Sequence, residues 1–155
     1  MPPRVSTALT RLLDIRYPVI MAPMFLVSNA EMVVEACAAG ITGAIPALNY
    51  RSDGDLREAL DMLKHRCIGP FGINLIVNKS NVRLNEQLNT CLEYRVDYII
   101  TSLGNPKKVI EACHERDMLV FCDVVDEQHA RKVEALGADA LIAVNADAGG
   151  HAGPH

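Results

Sequence analysis

The chain has 155 residues, half of them hydrophobic and 22% charged, proportions that exclude a disordered or collagen-like protein and allow a sizeable core. Its net charge of −4, from 15 basic and 19 acidic residues without a basic stripe, argues against nucleic-acid binding. No apolar stretch reaches the roughly 18 residues of a membrane helix, and no early apolar segment forms a secretory signal, so a cytoplasmic location is expected.

Tyr17–Ala22, a short β-rich run stopped by Pro23, reads as a buried strand. Ser28 and Glu31 have capping-box spacing before a helix with Met32, Val33, Ala36 and Cys37 on one face, and Gly40 suits its left-handed end. A strand is expected over Thr42–Ala47. Ser52 and Asp53 then open a helix whose Leu56, Ala59, Leu60 and Leu63 recur at helical spacing.

The alternation continues with a strand over Phe71–Val77 and a helix after Ser80 and Asn81, with Leu84, Leu88, Cys91 and Leu92 inward. A strand over Asp97–Ser102 follows, then a helix capped by Asn105 with Pro106 at its first position. Met118–Cys122 is a strand, Asp126 opens a helix running to Leu136, and Ala140–Val144 is the last strand. Six strands alternate with five helices at about 25 residues per unit, a usual pitch for βα units. The strands are near-continuous apolar runs, as expected where helices cover a parallel sheet. A doubly wound open sheet fits the length. The stop in a glycine-rich loop after a core strand favours the other α/β architecture, a (β/α)8 TIM barrel of which residues 1–155 supply about the first six units.

Five cysteines, Cys37, Cys67, Cys91, Cys113 and Cys122, form no C-x-x-C pair and no even framework, so all read as structural, with Cys37, Cys91 and Cys113 as small hydrophobes on the apolar faces of predicted helices. Asp147, His151 and His155 are spaced by four, but Gly149, Gly150, Gly153 and Pro154 oppose a helix there, and no metal site is expected. His65, His114 and His129 lack an acidic or glycine-rich setting and are expected to face solvent.

Three segments carry chemistry. Pro23, within Ala22-Pro23-Met24, gives the chain a rigid exit at the C-terminal edge of a strand, the functional edge of parallel α/β proteins. Asn74 interrupts an apolar strand, either as a satisfied core amide or as a polar handle for a ligand. The loop Asp147–Gly153 sets His151 among glycines, either as a flexible surface loop or as a proton-moving group where backbone approaches a ligand closely.

The opening Thr7–Arg16, then Tyr17-Pro-Val-Ile-Met-Ala-Pro-Met24, the strand Phe71-Gly-Ile-Asn-Leu75 and the loop Ala148-Gly-Gly-His-Ala-Gly153 together resemble the nitronate monooxygenases. The flavin-dependent enoyl-acyl-carrier-protein reductases share the fold and much of the motif. The resemblance implies an FMN-binding (β/α)8 barrel that oxidises alkyl nitronates with O2, or alternatively one that reduces an enoyl thioester with NAD(P)H. A non-catalytic fragment of such a barrel is a further alternative. It implies that Ala22, Pro23 and Met24 line the flavin bed, that Asn74 bonds the ring, that Gly149 and Gly150 face the cofactor, and that His151 is the catalytic base. Val144 and Asn145 stand where many members have Gln and Gly. The implied partners are a small nitronate and O2, with homo-oligomerisation left open.

Overall fold

The structure, a computed structural model, describes residues 4–150 and residue 152. Among the described residues six strands are hydrogen-bonded in chain order, the first with the second, the fourth with the fifth and the fifth with the sixth in parallel. The chain divides into two compact units at Ile73 and Asn74, within the third strand.

The first unit opens on helix α1 (Ala8–Leu13), an element the sequence reading did not assign. Thr7 and Thr10 cap it reciprocally, each side-chain oxygen accepting from the other's backbone N–H. Strand β1 is only Ile20–Met21, shorter than the expected Tyr17–Ala22. Val19 N–H turns back to Tyr17 O at 2.8 Å instead of joining a ladder, and neither Pro18 nor Pro23 has an N–H to give one. Its two residues pair with Thr42 and Gly43 of β2 (Thr42–Pro46), a fully buried strand.

Helix α2 (Ala30–Ala38) is capped by Asn29, whose side chain accepts from Met32 N, and not by Ser28. Ser28 Oγ instead accepts from Met24 N at 2.8 Å and donates to Met24 O, closing the preceding turn. Gly40 takes the left-handed φ of 84° beyond the helix, where a glycine avoids the Cβ penalty. A short 3-10 turn over Ala47–Asn49 leads to α3 (Asp53–Arg66). Ser52 caps it, in a capping box with Asp55 that the spacing at Ser52 and Asp53 had not predicted. Acidic residues in its first turn and basic ones in its last suit the helix dipole. Leu56, Ala59, Leu60 and Leu63 are its buried stripe.

Strand β3 (Phe71–Ile76) belongs to this unit up to Ile73 and continues into the second. There α4 (Leu84–Tyr94) starts after Arg83, because Asn81 turns its amide inward to Ile76 O and Gln87 Oε1. Strand β4 (Tyr98–Ser102) and strand β5 (Leu119–Val124) pair from Tyr98↔Leu119 to Thr101↔Cys122. Between them α5 (Lys107–His114) has Pro106 at the cap, while Asn105 accepts from Lys107 N. Asp126 caps α6 (Glu127–Ala135), and β6 (Ala140–Ala143) pairs with β5.

The core of the second unit is built from both faces of β4 and β5, with Tyr98 and Phe121 stacked at 4.9 Å and 18°. Cys91, Cys113 and Cys122 are buried there, as Cys37 is in the first unit, while Cys67 is half-buried. His65 and His114 are exposed and His129 is half-buried. His114 does have an acidic partner: its Nε2 lies 3.0 Å from Asp139 Oδ2, which also accepts from Val120 N.

Candidate functional site

In a parallel β/α protein the side chains of one sheet face alternate along each strand, and those nearest the C-terminal ends are available to a ligand. On β4 the alternation runs Tyr98, Ile100, Ser102, and on β5 it runs Phe121, Asp123. The strands lie in step, with Ile100 beside Phe121 and Thr101 beside Cys122, so Ser102 falls beside Asp123. The apolar Tyr98–Phe121 stack thus supports a polar layer one step further along.

Asn74 completes that layer from β3. It is 6% exposed, and its Nδ2 donates to Ile100 O at 3.1 Å and to Ser102 Oγ at 2.8 Å. Ser102 in turn donates to Asp123 Oδ2 at 2.5 Å. A backbone carbonyl only accepts, so the amide atom facing Ile100 O is the nitrogen. Both amide hydrogens are then committed to β4, and Asn74 Oδ1 accepts no hydrogen bond among the described residues. The core reading and the ligand reading of Asn74 are therefore not exclusive: one end of the amide is satisfied inside the sheet, and the other has no partner among the described residues.

The chain beyond Ser102 is held close to β3. Val77 N–H donates to Ser102 O at 2.9 Å, and Gly104, at φ 146°, lies so near that a Cβ on it would meet Val77 O at 2.8 Å. Leu103 adopts a left-handed φ of 59° to make this exit. Sequence reasoning missed Ser102 and Asp123. It ended the fifth strand at Cys122 and gave the Ser no role, because the lateral register that joins them is not written in either strand alone.

The other expected site residues lie at two further strand ends, one in each unit. In the first, Ala22 is exposed and Pro23 and Met24 are half-buried after β1, their turn closed by Ser28. The same loop is tied by Asn49, which accepts from Leu26 N and donates to Ser28 O, both at 2.8 Å. In the second, Gly149 and Gly150 are exposed beyond β6. A Cβ on Gly150 would meet nothing within 4 Å, so internal packing does not require a glycine there. His151 lies outside the described residues. Within the second unit, the Asn74 acceptor and the exposed backbone of Gly149 and Gly150 are of the chemistry that suits a flat heteroaromatic cofactor with both donors and acceptors, such as FMN.

Consecutive parallel β/α units with polar groups at the strand C-terminal ends define a (β/α)-barrel fold of the enzyme type. A family model described as nitronate monooxygenase matches residues 6–155, and the chain belongs to that family, whose members are FMN-dependent flavoenzymes. FabK from Thermotoga maritima superposes with a TM-score of 0.89 at 32% identity, covering 96% of this chain and 47% of that one. A (3aS,4S,5R,7aS)-5-hydroxy-7a-methyl-1-oxo-octahydro-1H-indene-4-carboxyl-CoA dehydrogenase of Mycobacterium tuberculosis is 29% identical, over 97% of this chain and 42% of its own length. A probable nitronate monooxygenase of Staphylococcus saprophyticus is 27% identical, over 97% of this chain and 52% of its own. The chain spans about half the length of the relatives it matches.

Proposed function

We propose that the protein carrying this chain is an FMN-dependent nitronate monooxygenase that oxidises alkyl nitronates with O2. The match of residues 6–155 to the family carries the reading. In it, Ala22, Pro23 and Met24 line the flavin bed with main-chain atoms, Asn74 bonds the ring, and Gly149 and Gly150 let backbone approach the cofactor. When bound, FMN supplies the electron chemistry, while the protein supplies orientation and electrostatics. His151 takes the proton from the carbon beside a nitro group, an imidazole being a suitable general base. A cytoplasmic location accompanies the reading.

A second reading draws on the neighbours. FabK is an FMN-dependent enoyl-acyl-carrier-protein reductase, and the mycobacterial relative is named for a carboxyl-CoA substrate. Here the same strand ends bind FMN, and an enoyl thioester is reduced at the expense of NAD(P)H.

Oxygen uptake by the purified flavoprotein with a nitronate, set against NAD(P)H oxidation with an enoyl thioester, separates the two. Uptake with the nitronate alone is expected; turnover of the thioester alone would replace the first reading with the second. His151→Asn is expected to leave FMN bound and to reduce turnover of the neutral nitroalkane by about 10² to 10⁴. The pre-formed anionic nitronate needs no proton removed, so it should lose less. Equal small losses on both substrates would reduce His151 to a loop residue.

A further inference from the structure

Asn74, Ser102 and Asp123 stand on three successive strands and are joined in one direction: Asn74 Nδ2 to Ser102 Oγ, Ser102 hydroxyl to Asp123 Oδ2. We propose that Ser102 and Asp123 are positioning residues that hold the Asn74 amide in a single orientation, with Oδ1 offered as an acceptor to a ring N–H of the cofactor. The inference rests on the FMN reading above and goes beyond it by assigning the direction of the bond and two residues that set it.

The direction follows from what each group is able to do. Ile100 O accepts only, which fixes the nitrogen end of Asn74 toward β4. Ser102 has one hydrogen. A carboxylate beside it takes that hydrogen, leaving the Oγ lone pairs for the second Asn74 hydrogen. Were Ser102 paired to a donor instead of Asp123, its hydroxyl would turn toward Asn74 and compete for the reverse orientation. Asp123 therefore acts at one remove: it sets the polarity of Ser102, and Ser102 sets that of the amide. The Tyr98–Phe121 stack beneath and the close approach of Gly104 to Val77 O keep the three strand ends from relaxing apart. Oxidised FMN carries a single ring N–H, at N3, so an Asn74 that only accepts has one such group to meet.

The test uses the full-length protein, with two readouts. In the ligand-free state, the Asn74 side-chain amide resonances are followed by hydrogen exchange. Slow exchange of both hydrogens is expected in the parent, with one accelerated in Ser102→Ala and in Asp123→Leu. In FMN titrations followed by flavin fluorescence, those two variants are expected to bind about tenfold more weakly, with little change in melting temperature. Ser102→Thr keeps the hydroxyl and Asp123→Asn keeps an acceptor, so both are expected to restore parental values. FMN methylated at N3 is expected to lose affinity for the parent and to be indifferent to Ser102→Ala.

Parental exchange and affinity in Ser102→Ala would overturn the proposal, as would losses in Ser102→Thr and Asp123→Asn as large as those in the other two variants. Undiminished binding of the N3-methyl compound would overturn the assigned direction. Should Asp123→Leu fail to fold, Ser102→Ala, which removes one hydroxyl, decides alone. A parent that binds no FMN refutes the flavin reading, and amide exchange still judges whether Ser102 and Asp123 orient Asn74.

Discussion

Asn74 is bonded within the sheet and, on the reading proposed above, also meets the cofactor. Asn74→Leu removes the bonds to Ile100 O and Ser102 together with the open acceptor. It is expected to weaken FMN binding by about ten- to hundredfold, the equivalent of a lost buried hydrogen bond, with helix content by circular dichroism unchanged. Unchanged affinity with a lowered melting temperature would mean that the amide serves the sheet alone. Cys113 is the opposite case, a reactive group made inert. Burial first, and the Asp139 carboxylate second, push its thiol up to about 12 from 9.0, against a lowering by Arg116. Because the folded state keeps the proton longer than the unfolded one, this stabilisation is full below pH 9.0 and disappears as pH climbs toward 12. Cys113→Ala is expected to flatten the alkaline decline of stability in urea titrations; an unaltered decline would assign it to other groups.

At the scale of elements, the sequence carried the βα alternation but not the element edges. Repeating apolar positions made the stripes of α3 and α4 legible, because burial selects them at every turn. Caps depend on single competing hydrogen bonds. Ser28 and Asn29 are both good caps by type, and only the turn at Met24, which takes Ser28 for itself, leaves the helix to Asn29. The candidate site was legible at Asn74, where an amide breaks an apolar run, and illegible at Ser102 and Asp123, which look like ordinary strand ends until register sets them side by side. The exit of β4 is equally a product of neighbours. Gly104→Ala would place a Cβ 2.8 Å from Val77 O at a φ of 146°. It is expected to lower stability by about 1–3 kcal/mol in chemical denaturation; a neutral result would show that the Leu103–Gly104 turn relaxes freely.

At the scale of the molecule, the strand order matches the chain order, so each strand pairs with its sequence neighbours and β6 stands last. Its burial alternates between half-buried and exposed, with Leu141 41% exposed, unlike the buried β2 and β4. Among the described residues no helix is long and apolar enough to cross a membrane. Residues 1–155 produced on their own are expected to self-associate through such a strand, since unpaired backbone and apolar side chains favour edge-to-edge pairing. Sedimentation velocity checks this: a monomer at all concentrations would show that β6 is adequately protected.

The tie from Asn49 to the loop after β1 has a consequence for recognition energetics. Phe25, Leu26 and Val27 are all more than half exposed, yet Leu26 N–H and Ser28 O are both bonded to one side chain, and Leu26 is held at a left-handed φ of 57°. Such a segment loses its conformational freedom when the chain folds and not when a ligand arrives. An apolar guest meeting these side chains faces a surface already ordered, so the entropy of arranging it does not subtract from affinity.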